Sequence, residues 1–338
     1  MPNISLLPHL KKHFQKIYYI GTNGMEKELI SRQNGVTFIE IPARKLDRTN
    51  RIKNLALPFH LMKSICSCKK ILKEIKPDVI FSKGGYVSVP VCIAGKLRKI
   101  PIVSHESDMT LGKANKLIYK ICEKFCTSFD KTSLGLKKAV FTGSPIRAQL
   151  ETGDKEKGFL LTNVDRTRPT ILVTGGSAGA SDLNDIIHKI LPVLLKKYNV
   201  IHLTGKGKMN KKISYKNYCQ MEFCQNIEHL FAISDVAISR AGSNAIYELL
   251  FLKKPMLLIP LPKGVSRGDQ VDNAKYFEEK NFATVLEQAN MTEKTLLNSI
   301  DNLFEKRNEI AKTQSSSNQA FFNGAENICK VILSVIKK

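Results

Sequence analysis

Eight short runs of β-branched and apolar residues recur along the chain with helical patterns between them, and no other feature constrains the fold as tightly. The runs are Ile17–Ile20, Val79–Phe81, Ile102–Ser104, Ala139–Thr142, Ile171–Thr174, Val200–Leu203, Val236–Ser239 and Met256–Pro260. A strand that returns through a helix pairs in parallel, and parallel strands are covered on both faces. The expected class is therefore α/β, with doubly wound parallel sheets. The second half repeats one unit of strand, Gly-rich turn, helix and strand, at Thr170–Thr204 and again at Asp235–Pro260. A length of 338 residues is long for one such unit and comfortable for two.

The boundary is expected at Ser144–Pro145. Glu151–Pro169 beyond it is charged, carries turn residues and lacks an apolar period, as a linker or domain edge does. This gives an N-terminal domain over 1–144, a second over 145–317 and a closing helix over 318–338. That helix carries Phe321, Ile328, Val331, Ile332 and Val335 at helical spacing.

The 53 Lys and Arg against 30 Asp and Glu leave a formal charge of +23, which favours an anionic partner. Basic clusters interleaved with aromatics are missing and there is no tryptophan, so nucleic acid is not expected. The eight cysteines form no Cys-x-x-Cys pair and have no suitably spaced histidine, and they read as reduced thiols of a cytosolic protein. The longest apolar stretches, such as Pro255–Pro262, fall far short of a bilayer span, so any membrane contact is expected to be peripheral.

The sharpest local signal is Gly175-Gly176-Ser177-Ala178-Gly179-Ala180 between a strand and an amphipathic helix. Glycines let the backbone approach a phosphate, and a helix N-terminus presents unpaired N–H groups to it. A second turn, Arg240-Ala241-Gly242-Ser243, follows the strand at Val236 and leads to Glu248, an acid able to accept from both hydroxyls of a ribose. Ser266-Arg267-Gly268-Asp269-Gln270 to Asn273 opens another helix with the donors and acceptors that a hexose edge requires. In the first half, Ser82-Lys83-Gly84-Gly85-Tyr86 is again a Gly turn after a strand, and His105-Glu106 ends the next strand. Ligands of open α/β sheets bind at such strand ends. Each feature alone has a plainer reading: a steric turn, a helix-capping acid, a polar helix start or a satisfied histidine.

Together with Gly143-Ser144-Pro145-Ile146-Arg147, these motifs run in order over essentially the whole chain and closely resemble the MurG family of glycosyltransferase family 28. The resemblance implies the GT-B fold, two Rossmann-like domains facing a cleft. It also implies an inverting transfer of N-acetylglucosamine from UDP-N-acetylglucosamine to the 4-hydroxyl of lipid I, undecaprenyl-pyrophosphoryl-N-acetylmuramyl-pentapeptide, to form lipid II in peptidoglycan synthesis. Carried over residue by residue, donor contacts fall on Arg147, Gly176, Ser177 and Gly179 for the diphosphate and on Glu248 for the ribose. Asp269 and Gln270 take the sugar, and Cys224, Gly242 and Ser243 lie near the uracil. Acceptor contacts fall on Gly84, Gly85, Tyr86, His105 and Glu106. No Asp-x-Asp motif is evident, and neither a metal nor a cofactor is expected.

The family opens with a strand and a Gly-rich loop ending in Gly-His-x-x-Pro-Asn, whereas this sequence opens at Met1-Pro2-Asn3. The expectation is a truncated reading frame that lacks a central strand, leaves its neighbours unpaired along their inner edges, and is poorly stable and nearly inactive. The family's histidine being absent, the catalytic base is unassigned, with His105 and Glu106 as fallbacks. A membrane dock on the anionic cytoplasmic leaflet is expected from Arg48, Arg51, Lys53, Phe59, Met62, Lys63, Ile65, Lys69, Lys70 and Lys73, which mix basic and apolar residues at helical spacing. Other cell-wall synthesis proteins are further expected partners. Two rivals stand beside this reading: a related glycosyltransferase acting on diacylglycerol, and a non-catalytic nucleotide-sugar-binding membrane adaptor.

Overall fold

The computed structural model describes residues 2–43, 57–176, 179–264 and 267–336. Arg48, Arg51, Lys53, Ser177, Ala178 and Ser266 lie outside them. The chain divides into two units, Met1–Pro145 with Phe322–Lys338, and Ile146–Phe321.

The first unit runs α1 (Pro2–Leu10), β1 (Ile17–Gly21), α2 (Met25–Ser31), β2 (Val36–Glu40), α3 (Leu57–Ile75), β3 (Ile80–Ser82), α4 (Ser88–Leu97), β4 (Ile102–Glu106), α5 (Lys113–Ile121), β5 (Lys124–Thr127), α6 (Asp130–Ser133) and β6 (Ala139–Phe141). Its strands form two separate parallel sheets, β1-β2 and β3-β4-β5-β6. Among the described residues β1 and β3 therefore each pair along one edge only. The core is nonetheless dense on both faces. Cys68, Leu72, Ile80, Ile102, Ile118 and Phe125 pack on one, and Leu6, Val103, Cys126, Ile328 and Ile332 on the other.

The second unit runs α7 (Lys155–Thr162), β7 (Thr170–Thr174), α8 (Ser181–Leu194), β8 (Asn199–Leu203), β9 (Tyr218–Met221), α9 (Ile227–Ile233), β10 (Val236–Ser239), α10 (Ser243–Phe251), β11 (Met256–Leu258), α11 (Asp269–Glu279), β12 (Thr284–Val285) and α12 (Glu293–Ser315). One six-stranded parallel sheet has the order β12-β11-β10-β7-β8-β9. β7, β10 and β11 contribute Ile171, Val173, Val236, Ile238 and Leu257 to a core that α8 and α12 close with Leu183, Ile187, Leu191, Leu296, Ile300 and Leu303. Residues buried on both faces explain the continuous apolar runs in the sequence.

Two sequence expectations need correction. Glu151–Pro169 is the structured edge of the second unit and not a linker, since Ala148–Thr152 forms a 3-10 turn and α7 packs on α9. The docking passes through Gly158, where a Cβ would lie 2.4 Å from the His229 carbonyl oxygen, and the other buried residue of α7 is Thr162, so the contact face shows no apolar period. The closing segment is also not one helix. A 3-10 turn at Gln319–Phe321 precedes α13 (Gly324–Ser334), and Phe321 belongs to the second unit, edge-on to Phe282 and beside Tyr247. α13 packs on α1 and β5 in the first unit, and Gly324 there lets its backbone approach the Ser144 carbonyl.

Candidate active site

In the second unit the chain moves from β7 outward to β8 and β9, then crosses back to β10 on the other side. The turns after β7 and β10 diverge at this switch point, where open α/β sheets bind ligands. Both turns are glycine-rich. Gly176 and Gly179 have φ values of 77° and 66°, and a Cβ on Gly179 would sit 2.3 Å from the Thr204 carbonyl oxygen, so only glycine serves there. α8 starts at Ser181, two residues beyond.

The neighbouring turn begins at Arg240, only 5% exposed, whose Nη1 donates to the Ile259 carbonyl at 3.1 Å while Nε has no partner among the described residues. A guanidinium remains charged when buried, so this fixed cation favours an anion at the strand ends. Gly242 caps α10, Ser243 is buried in its first turn, and Glu248 lies further along it. Glu248 accepts two hydrogen bonds from Arg147, Nε to Oε1 and Nη2 to Oε2, both 2.9 Å. These residues, 101 apart in sequence, meet in a fork that leaves their side chains 35% and 20% exposed. The sequence expected both at one nucleotide, and the structure brings them into direct contact.

Gly268, with φ of 92°, starts α11. The carboxylate of Asp269 accepts from Arg267, and Gln270 Oε1 accepts from the Leu261 N–H at 3.0 Å, tying α11 to the segment after β11. Asn273, fully buried, donates to the Ala241 carbonyl at 3.2 Å and so links α11 to the Arg240 turn. Cys224 is half-buried, two residues ahead of the Asn226 cap of α9.

A buried polar chain supports the Gly179 turn. Tyr218 donates to His202 Nδ1 at 3.0 Å and takes a hydrogen bond from His188 Nε2 at 3.1 Å. His202 Nε2 donates to Asn184 Oδ1 at 3.0 Å, and Asn184 donates to the Thr204 carbonyl at 2.9 Å. Burial lowers the His202 pKa to about 3, with His188 adding to the effect, so the ring is neutral as this bonding requires. Nothing in the Gly-rich motifs pointed to these residues, since their role depends on a register that only the β8–β9 pairing sets.

In the first unit, Gly84 and Gly85 have φ values of 79° and 86° in the turn between β3 and α4, and Tyr86 is exposed beside them. His105 is completely buried. Its Nδ1 lies 2.7 Å from Lys83 Nζ and its Nε2 lies 3.1 Å from the Gly143 carbonyl. Burial, and then the charge of Lys83, hold its pKa well below the ordinary value. Glu106 accepts from the N–H groups of Ser107, Asp108 and Gly112 and from Asn115 Nδ2, two bonds on each oxygen. Neither fallback base presents a free lone pair among the described residues: His105 is spent on Lys83 and the Gly143 carbonyl, and Glu106 holds the loop after β4.

On α3, Phe59 (82% exposed) and Met62 (65%) share an exposed stripe with Lys63, Lys69, Lys70 and Lys73. Ile65 does not belong to it, because that side chain is partly buried against the core with Ser64 and Cys68 behind it. No described helix is long and apolar enough to cross a membrane.

Two parallel α/β units with glycine turns at their strand ends define the class: the chain belongs to glycosyltransferase family 28, whose N-terminal domain matches residues 1–127 and C-terminal domain residues 170–328. More particularly, it is 44% identical over 336 residues to the UDP-N-acetylglucosamine--N-acetylmuramyl-(pentapeptide) pyrophosphoryl-undecaprenol N-acetylglucosamine transferase of Clostridium tetani, covering 98% of this chain and 93% of that one. It is 42% identical over 343 residues to the Clostridium novyi enzyme of the same name, covering 100% and 94%. In fold it is similar to Acinetobacter baumannii MurG, with a TM-score of 0.75 at 22% identity over 99% of this chain and 95% of that one.

Proposed function

We propose that this chain transfers N-acetylglucosamine from UDP-N-acetylglucosamine to the 4-hydroxyl of lipid I, giving lipid II with inversion at the anomeric carbon. Relatives at 42–44% identity over nearly the full chain carry the name of this activity. The structural observation that carries the reading is the Arg147–Glu248 fork on α10, the helix that opens at the Gly242 turn after β10. It joins a cation to a carboxylate able to accept from ribose hydroxyls.

The chemistry follows from these groups. The acceptor O4 forms a bond to the anomeric carbon, the bond from that carbon to the diphosphate oxygen breaks, and its electron pair leaves with UDP while the O4 proton passes to a base. Charge grows on the diphosphate. The N-terminus of α8, which the glycines after β7 leave open to approach, and the cations Arg147 and Arg240 stabilise it. Glu248 takes the ribose hydroxyls, Asp269 and Gln270 the sugar, and Cys224, Gly242 and Ser243 the base region. The turn Gly84–Tyr86 receives the acceptor, and the exposed stripe of α3 docks on anionic lipid at the cytoplasmic face, where the acceptor's lipid tail is held. Other cell-wall synthesis proteins remain proposed partners.

The diacylglycerol and adaptor readings gain no support, because the relatives are named for the pyrophosphoryl-undecaprenol acceptor. The expectation of inactivity gains none either. The deciding experiment incubates the protein with radiolabelled UDP-N-acetylglucosamine and a short-chain lipid I analogue. Label in a β-linked disaccharide product supports the proposal, and label only in diacylglycerol or only in unreacted donor refutes it.

A further inference from the structure

Among the ionisable groups clustered at the ends of β3, β4 and β5, which the reaction described above does not use, Lys83 is the buried cation. Lys83 directly precedes Gly84, and its Nζ contacts His105 Nδ1 and Ser107 Oγ, each at 2.7 Å. Both acceptors are uncharged. Among the described residues Lys83 forms no ion pair within 4.0 Å; Glu106 and Asp108 act on it only at longer range, and Glu106 spends its oxygens on four N–H groups. An ammonium has three N–H bonds, of which two are spent here on protein. A cation desolvated without a counter-charge is costly to the fold, and an anion would relieve that cost.

We propose that Lys83 is the cation of the acceptor half-site, receiving the pyrophosphate of the lipid substrate beside the Gly84–Gly85 turn. His105 and Ser107 aim the ammonium: His105 is held by its own bond to the Gly143 carbonyl at 3.1 Å, which fixes Nε2 as the protonated nitrogen and leaves Nδ1 to accept from Lys83. The space beside the turn is open, since a Cβ built on Gly85 would meet nothing within 4 Å, while the Gly84 N–H donates to Ser82 Oγ at 3.0 Å. The ammonium itself is buried, but the residue keeps part of its surface in solvent and Gly85 and Tyr86 beside it are exposed.

A titration signature follows. Burial holds the Lys83 pKa near 7 in place of 10.5, with Glu106, Asp108 and the Cys126 thiol facing it and His105 in contact. Near pH 7 about half the protein carries the charge, and by pH 9 about one part in a hundred does. An anion that requires the protonated form binds about 50-fold more weakly at pH 9 than at pH 7.

The inference rests on the glycosyltransferase reading for the identity of the anion, and the test separates the two. Steady-state kinetics with UDP-N-acetylglucosamine and a lipid I analogue are measured for wild type, Lys83→Met and Lys83→Arg between pH 6.5 and 9, with folding checked by circular dichroism. Binding of inorganic pyrophosphate to the same three proteins is measured by calorimetry. Expected are an acceptor KM raised about 10- to 100-fold in Lys83→Met at pH 7 with an unchanged donor KM, a steep alkaline rise of acceptor KM in wild type, and loss of that rise in Lys83→Arg. Pyrophosphate binding should fail in Lys83→Met. An acceptor KM in Lys83→Met within twofold of wild type at every pH overturns the proposal. A parallel loss of donor and acceptor parameters in both variants also overturns it, since that marks a mere strut. Wild type that binds pyrophosphate through Lys83 but transfers no sugar would overturn the functional reading alone.

Discussion

Replacing Glu248 by glutamine tests the donor site through its own energetics. The carboxylate accepts two N–H groups from Arg147 at 2.9 Å, and in the proposed complex it accepts two ribose hydroxyls instead. A hydrogen bond to a charged group is worth about 1.5–3 kcal/mol and a neutral one about 0.5–1.5 kcal/mol, so losing the charge removes about 2 kcal/mol over two bonds. Releasing Arg147 from a pair with side chains 35% and 20% exposed returns about 0.5–1 kcal/mol, because such a pair is partly screened. The net loss of about 1–1.5 kcal/mol lowers donor kcat/KM about 5- to 15-fold. Loss of the pair alone should move the melting temperature by only about 2–4 °C for a unit of this size. Kinetics with varied UDP-N-acetylglucosamine, beside thermal unfolding, read both. A donor kcat/KM within twofold of wild type, or a collapse of stability that accounts for the lost activity, refutes the reasoning.

Three further outcomes are expected. Gly179→Ala places a Cβ 2.3 Å from the Thr204 carbonyl at a φ of 66°, so urea unfolding should show a loss of about 2–4 kcal/mol, and UDP binding should weaken with it. His202 has its pKa lowered to about 3 from 6.5, so the unfolded chain binds more protons between those values; its contribution is complete above pH 6.5 and is lost as pH falls toward 3. His202→Gln keeps a donor and an acceptor without titrating, and its melting temperature should fall less steeply than that of wild type between pH 6.5 and 4; an equal slope would contradict this. Replacing Lys69, Lys70 and Lys73 together by glutamate on the exposed stripe of α3 should abolish co-sedimentation with anionic vesicles, and undiminished binding would reject the dock.

The strands with continuous apolar runs were legible because burial on both faces demands such residues, as Ile171–Thr174 and Val236–Ser239 show. β5 was not, although it pairs on both edges, because Lys124, Cys126 and Thr127 leave too little apolar signal in four residues. β2, β9 and β12 lie at sheet edges and escaped for a similar reason. α7 was read only as part of a linker or domain edge because it docks through Gly158 and Thr162, which give no apolar periodicity. In the site, the glycine turns announced themselves through residue type and spacing. The Arg147–Glu248 fork and the saturation of Glu106 by four N–H groups did not, since partners that far apart, or drawn from backbone, leave no local pattern.

The central claim is that Arg147 and Glu248 belong to one nucleotide site, and a crystal structure of the protein with UDP-N-acetylglucosamine tests it most directly. The account predicts the fork opened, Glu248 within hydrogen-bond distance of the ribose hydroxyls, and the diphosphate against Arg147 and the Gly176–Gly179 turn. UDP-N-acetylglucosamine bound elsewhere, with the fork intact, would contradict it.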